Sequence, residues 1–174
     1  MRDDLIGLFS LIYKNTFFKV DSILSKKNNR IYFLLNNGYV RSFLACLRFS
    51  SLFYGTIFHD IIVVNASNIN TIVYVYYLPR WDIKLFLITR ADGIVCAASE
   101  FFPGAAWPER ECSEMFGVVF KEKIDTRRLL LDYTFEGYPL RKDFSVNGYE
   151  EIEYSTFYNW VVYKPLKLRD SDYS

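Results

Sequence analysis

Residues 107–148 read WPERECSEMFGVVFKEKIDTRRLLLDYTFEGYPLRKDFSVNG, from Trp107 to Gly148. Within them, residues 109–143 hold 15 charged side chains in 35 positions, against 24% for the chain as a whole. These are Glu109, Arg110, Glu111, Glu114, Lys121, Glu122, Lys123, Asp125, Arg127, Arg128, Asp132, Glu136, Arg141, Lys142 and Asp143. The signs alternate, and Trp, Phe, Tyr, Pro and Gly stand between the charges. A solvated tail is poorer in rings, and a core is poorer in charge. The combination predicts an arm laid on another protein, with ionic groups paired at that surface and rings filling its pockets.

The stretch opens with a short helix. Pro108 suits a first turn, Glu109 and Glu111 sit at the positive end, and Gly117 closes it. Trp107, Glu111 and Met115 fall along one side, and Arg110 and Glu114 are spaced for an i,i+4 pair. Beyond Gly117, glycine and proline recur too often for long regular structure. We expect an extended arm there, with short strands at Val118–Phe120 and Trp160–Tyr163.

Upstream the pattern changes to that of a folded domain. Leu5, Leu8, Phe9 and Ile12 keep helical spacing behind Asp3 and Asp4, which predicts an amphipathic helix over 3–14. Residues 18–23 and 30–35 read as a hairpin around the polar turn 26–29. Asn36, Asn37 and Gly38 break that strand, and Val40, Phe43, Leu44 and Leu47 predict a helix over 39–49. Residues 53–64 read as strand interrupted near His59 and Asp60, and 65–70 as a loop. Residues 71–78 are apolar on both faces, the mark of an interior strand, and 81–88 return as its neighbour. The expected fold is α+β: one mixed or antiparallel sheet with flanking helices, plus a long extended C-terminal arm. The boundaries drawn are 1–98 for the domain, 99–117 for a connecting segment and short helix, and 118–174 for the arm.

Composition limits the function. With 21 basic and 20 acidic residues the net charge is +1, so no global attraction to nucleic acid or anionic lipid arises. The same balance holds inside 109–143, where eight acids face seven bases, so Arg127, Arg128, Arg141 and Lys142 read as partners of carboxylates rather than of phosphate. Cys46, Cys96 and Cys112 are odd in number and far apart, which fits a reducing compartment. With no CxxC pair and His59 as the single histidine, a metal or iron–sulfur site built by this chain is not expected. Glu109, Glu111 and Glu114 lack a nearby histidine, and pairing or capping is the expected role of such acids. Cys112 reads as a small buried hydrophobe, Tyr74, Tyr76 and Tyr77 as strand packing, and the glycines form no phosphate loop. No run reaches the about 18 apolar residues a membrane span needs, and the N-terminus is too acidic for a transit peptide. The residues themselves describe a binding or structural module, with no catalytic residue. An RNA-binding α+β module of an organellar ribonucleoprotein is the alternative from another class.

Two motifs carry a resemblance. They are Glu109-Arg110-Glu111-x-x-Glu114-Met115-Phe116-Gly117 and Arg127-Arg128-Leu129-Leu130-Leu131-Asp132-Tyr133-x-Phe135-Glu136-Gly137-x-Pro139-Leu140-Arg141-Lys142-Asp143-Phe144. The chain resembles the 30-kilodalton-subunit family of respiratory complex I, in its mitochondrial and bacterial form. The family pattern usually has Asp where Glu114 stands, Gly at Thr134, His at Tyr138 and Pro at Ser145. Weaker similarity continues to Tyr163-Lys164-Pro165-Leu166.

The resemblance implies a core subunit of the quinone module of proton-pumping NADH:ubiquinone oxidoreductase, with an α/β domain and a tail wrapped on a neighbour. The implied partners are the large hydrogenase-like subunit and the small subunit holding the terminal iron–sulfur cluster. No cofactor is implied for this chain, FMN and iron–sulfur clusters belonging to partner subunits. Membrane association would come through the complex, on the matrix side of the mitochondrial inner membrane, with the chain made inside the organelle. The expected partner contacts are Glu109, Arg110, Glu111, Arg127, Arg128, Asp132, Tyr133, Arg141, Lys142 and Asp143.

Overall fold

The structure is a computed structural model that describes residues 20–27, 29–66, 69–91, 93–123 and 125–166. The helix expected over 3–14 lies outside the described residues. The main sheet has five strands: β1 (Val20–Lys27), β2 (Arg30–Leu35), β3 (Ile57–Ala66), β4 (Ile69–Leu78) and β5 (Ile83–Ala91). Their order is β1-β2-β5-β4-β3. The β2–β5 pair is parallel and the other neighbours are antiparallel, so the sheet is mixed. The parallel pair forces a crossover between β2 and the rest, and helix α1 (Asn37–Phe49) lies on that connection.

The triplet expected only to break a strand starts this helix. Asn36 is extended at φ −68° and its side chain accepts from the Gly38 N–H, satisfying one of the free donors of the first turn. Val40, Phe43, Leu44 and Leu47 form its buried stripe, and Arg48 sits in the last turn, where the dipole favours a cation. The loop expected over 65–70 is shorter: Asn65 pairs with Asn70 and Ala66 with Ile69 in the β3–β4 ladder. The Asn65 side-chain Nδ2 donates to the Asn70 side-chain Oδ1 at 2.7 Å, so two polar residues extend the hairpin instead of ending it. Trp81, expected at a strand start, belongs to the tight turn Pro79–Trp81, and Asp82 takes the left-handed conformation that reverses the chain into β5.

One buried cluster joins sheet and helices. Ile72, Tyr74 and Tyr76 of β4 face the same side as Leu85 and Leu87 of β5 and Ile31 and Phe33 of β2. Tyr74, Tyr76, Phe33, Leu85 and Leu87 are almost wholly buried, and the apolar Phe33, Leu85 and Leu87 contribute about 1.5–3 kcal/mol of burial free energy each. The expected interior position of 71–78 holds, since β4 lies between β5 and β3.

The core continues past the boundary drawn at residue 98. Phe101, Phe102 and Ala105 are buried in it, as are Cys112 of helix α2 (Ala106–Phe116) and Val118 and Phe120 beyond that helix. A parallel pair, β6 (Ile94–Cys96) with β7 (Val119–Lys121), ties the two ends of this segment together. The α2 segment is therefore part of the globule rather than a connector. Farther on, β8 (Glu150–Ser155) and β9 (Trp160–Pro165) form a separate antiparallel hairpin. The strand expected at 160–163 thus has a partner that its own pattern does not reveal.

Candidate partner-binding surface

Helix α2 organises the surface. Its last turn closes on Gly117, whose N–H donates to the Ser113 carbonyl at 3.0 Å and whose φ is +71°. A Cβ at Gly117 would stand 2.9 Å from the Tyr138 ring, so glycine answers both the left-handed backbone and the close approach of the arm.

Glu109 is fully buried, which removes it from the expected partner contacts. Its carboxylate accepts from the Ser99 N–H at 2.9 Å and the Ser99 Oγ at 2.7 Å, fastening the turn that precedes the helix. Burial pushes its pKa up, and the Ser99 bonds oppose that shift. Cys112, one turn on, is buried as expected, and burial pushes its thiol up to about 12.

Arg110 and Glu114 share a helix face, as their spacing predicts, yet each reaches for the arm rather than for the other. The Arg110 guanidinium donates to the carbonyls of Arg127 and Arg128 at 3.0 Å each and stands 3.5 Å from Asp125. Glu114 accepts the N–H groups of Leu129, Leu130 and Leu131 at 3.0, 2.9 and 2.9 Å. Desolvation alone would raise the Glu114 pKa, but the three backbone donors, with Arg128 nearby, outweigh it and the net shift is downward. One cation on carbonyls and one anion on amides grip five consecutive residues of arm backbone. Farther along, the Leu140 N–H donates to the Met115 carbonyl at 3.1 Å and the Lys142 N–H to Asn65 at 3.2 Å. The arm between 127 and 142 thus follows its own globule.

Several of the remaining expected contacts are paired locally. Arg127 forks onto Asp125 at 2.8 and 3.0 Å, a bidentate pair that holds the Asp125 carboxyl well below its ordinary range. Arg141 forks in the same way onto Asp143 at 2.6 and 3.0 Å, and its guanidinium lies 5.8 Å from the Tyr138 ring centre. Asp132 accepts from the Tyr163 hydroxyl at 2.8 Å, the Thr134 hydroxyl at 3.0 Å and the Tyr133 N–H at 2.7 Å, which lowers its pKa. Arg128 is half-buried, whereas Glu111, Tyr133 and Lys142 are exposed.

A run of exposed apolar side chains lies on residues that a charge-based reading passes over. Phe157, Tyr158 and Trp160, at and beside the β8–β9 turn, are 85%, 70% and 72% exposed, and Ile152 and Tyr154 of β8 are also open. The alternation in Glu151-Ile152-Glu153-Tyr154 was the available signal for β8. Such a concentration of exposed rings marks a surface built for contact. Among the described residues no group of three or more His, Cys, Asp and Glu side chains is arranged to hold a metal, and no helix is long and apolar enough to cross a membrane.

Fold and surface together define a mixed-sheet α+β domain with an arm strapped along its second helix and an exposed aromatic hairpin beyond. The chain belongs to the respiratory-chain NADH dehydrogenase 30 Kd subunit family, whose model matches residues 35–150. It is 36% identical over 166 residues to NADH-ubiquinone oxidoreductase subunit 9 of Acanthamoeba castellanii, covering 94% of this chain and 85% of that protein. It is 35% identical over 178 residues to the subunit 9 of Dictyostelium citrinum, covering 97% and 79%. A bacterial relative, an NADH-quinone oxidoreductase subunit of Rhizobium meliloti, is 42% identical over 100 residues, 56% of this chain and 50% of that protein.

Among solved structures, a chain of the membrane-bound sulfane sulfur reductase, an archaeal respiratory membrane complex, superposes with a TM-score of 0.66 at 21% identity, covering 83% of this chain and 86% of that one. The trypsin-resistant fragment of Nqo5 gives 0.54 at 17% identity, covering 72% and 99%. At such identities the superpositions establish the fold alone. The RNA-binding alternative finds no support among these relatives.

Proposed function

We propose that this chain is a core structural subunit of the quinone module of a proton-pumping NADH:ubiquinone oxidoreductase, contributing to electron transfer by fixing other subunits in place. The match of residues 35–150 to the family, with similarity to a subunit 9 along 94% of the chain, carries this reading. The partners are the large hydrogenase-like subunit and the small subunit with the terminal iron–sulfur cluster. FMN and the clusters reside in partner subunits, and this chain binds none. The subunit 9 relatives of Acanthamoeba and Dictyostelium support a mitochondrial setting. We assign the chain to the matrix side of the inner membrane and to synthesis within the organelle.

The contact surface is the distal arm rather than the whole charged stretch. Arg110 and Glu114 hold the start of the arm to the globule and Glu109 is buried on Ser99, leaving the aromatic hairpin, with the exposed Glu111, Tyr133 and Lys142 ahead of it in sequence, to meet a neighbour. Electron transfer needs its carriers held in fixed geometry, and a strap seated firmly at one end can impose it. Purification of a tagged chain from native membranes tests the assignment. Co-purification with flavin and iron–sulfur subunits and with NADH:quinone reductase activity is expected. A chain that elutes alone from detergent extracts retaining intact complex would overturn it.

A further inference from the structure

A cleft of about 360 Å³ opens between the β8–β9 hairpin and the segment 134–136. Phe135, Phe144, Tyr149 and Tyr163 wall it, and Glu136 and Glu150 stand on it with exposed side chains. The wall is fixed on both sides. Phe144 meets Tyr149 edge-on at 5.2 Å and Phe135 at 5.9 Å, and it lies so close over Gly137 that a Cβ there would stand 2.7 Å from the ring. Opposite, the hydrogen bond to Asp132 holds Tyr163.

The charges around the cleft are unbalanced. Among the described residues no ion pair involves Glu136 or Glu150. Arg141 is paired with Asp143 and Lys164 with Glu153. Two carboxylates beside four aromatic rings, with no cation of their own, fit a flat cation that can stack on the rings while its N–H groups meet the acids.

We propose that this cleft receives an arginine side chain from a neighbouring polypeptide of the assembly and is the specific anchor of the distal arm. The inference rests on the structural-subunit reading and names the chemistry of its contact. An arginine fills the site better than a lysine, because the guanidinium plane lies flat against a ring and retains donors at its edge.

The test titrates the full chain with acetyl-Gly-Arg-Gly-amide, following tyrosine signals by NMR, and repeats it with the neutral citrulline analogue. We expect saturable binding on the order of millimolar, at least five-fold weaker for citrulline and for the Glu136→Gln/Glu150→Gln variant. Both side chains are exposed, so the variant should keep the wild-type circular dichroism, and Glu151→Gln serves as a charge-matched control that binds normally. Equal binding of the two peptides, no saturable binding, or an unaltered double variant would overturn the proposal. Those results would leave co-purification with the respiratory complex untouched, so the two claims fail separately.

Discussion

Glu109 and Glu114 stand five residues apart on one helix and titrate in opposite directions. Glu114 has its folded pKa lowered, so its contribution is present above the unfolded value and is lost as pH falls through the folded one. Asp125 and Asp132 behave alike. The arm should therefore loosen in acid, and urea unfolding at pH 3 should show lower stability than at pH 7. Glu109 has its folded pKa raised, so stability falls as pH rises through the window just above the unfolded carboxylate value. Glu109→Gln should remove that dependence, its Oε1 still accepting from the Ser99 N–H and its amide group donating to the Ser99 Oγ instead of accepting from it. Glu109→Ala should cost about 2–4 kcal/mol, since it opens a cavity and strands the Ser99 N–H. The two core tyrosines also differ. Tyr74 donates to the Cys96 carbonyl at 3.0 Å, whereas the buried Tyr76 hydroxyl has no hydrogen-bond partner among the described residues. Tyr74→Phe should cost about 1 kcal/mol and Tyr76→Phe should be neutral or stabilising, as read by thermal melts.

At the scale of elements, helix α2 couples globule to arm, and Gly117 is where the coupling can be broken. Gly117→Ala meets both a positive φ and the Tyr138 ring, whereas Gly148→Ala meets a positive φ of +76° in open space. The second should cost about 1 kcal/mol and the first clearly more, with faster amide exchange at Leu129–Leu131 only in the first. Element existence was legible wherever burial imposes a period: α1 from Val40, Phe43, Leu44 and Leu47, and β4 from its two apolar faces. Polar residues with structural duties were the ones that misled. Asn36 looked like a strand breaker and is a helix cap; Asn65 and Asn70 looked like loop and are a ladder pair. The role of Arg110 and Glu114 was hidden for a related reason. Their spacing predicts a mutual pair, and only the fold reveals backbone partners 15 to 18 residues away.

At the scale of the whole molecule, the chain divides its charged and aromatic third between two tasks. The proximal part is held to the globule by backbone bonds that no charge pattern announces, and Glu109 disappears into the core. The distal part presents Phe157, Tyr158 and Trp160 to solvent. The family was legible because its motifs are dense and local, whereas the division of labour within the arm depends on which side chains the fold has already used. The central claim is that the distal arm fastens this subunit into a respiratory complex. Its most direct test is assembled NADH:quinone reductase activity, measured in cells whose only copy of the chain ends at residue 148. The account predicts a folded, soluble truncated globule and loss of assembled complex and activity on native gels. Full activity with the arm removed would contradict it.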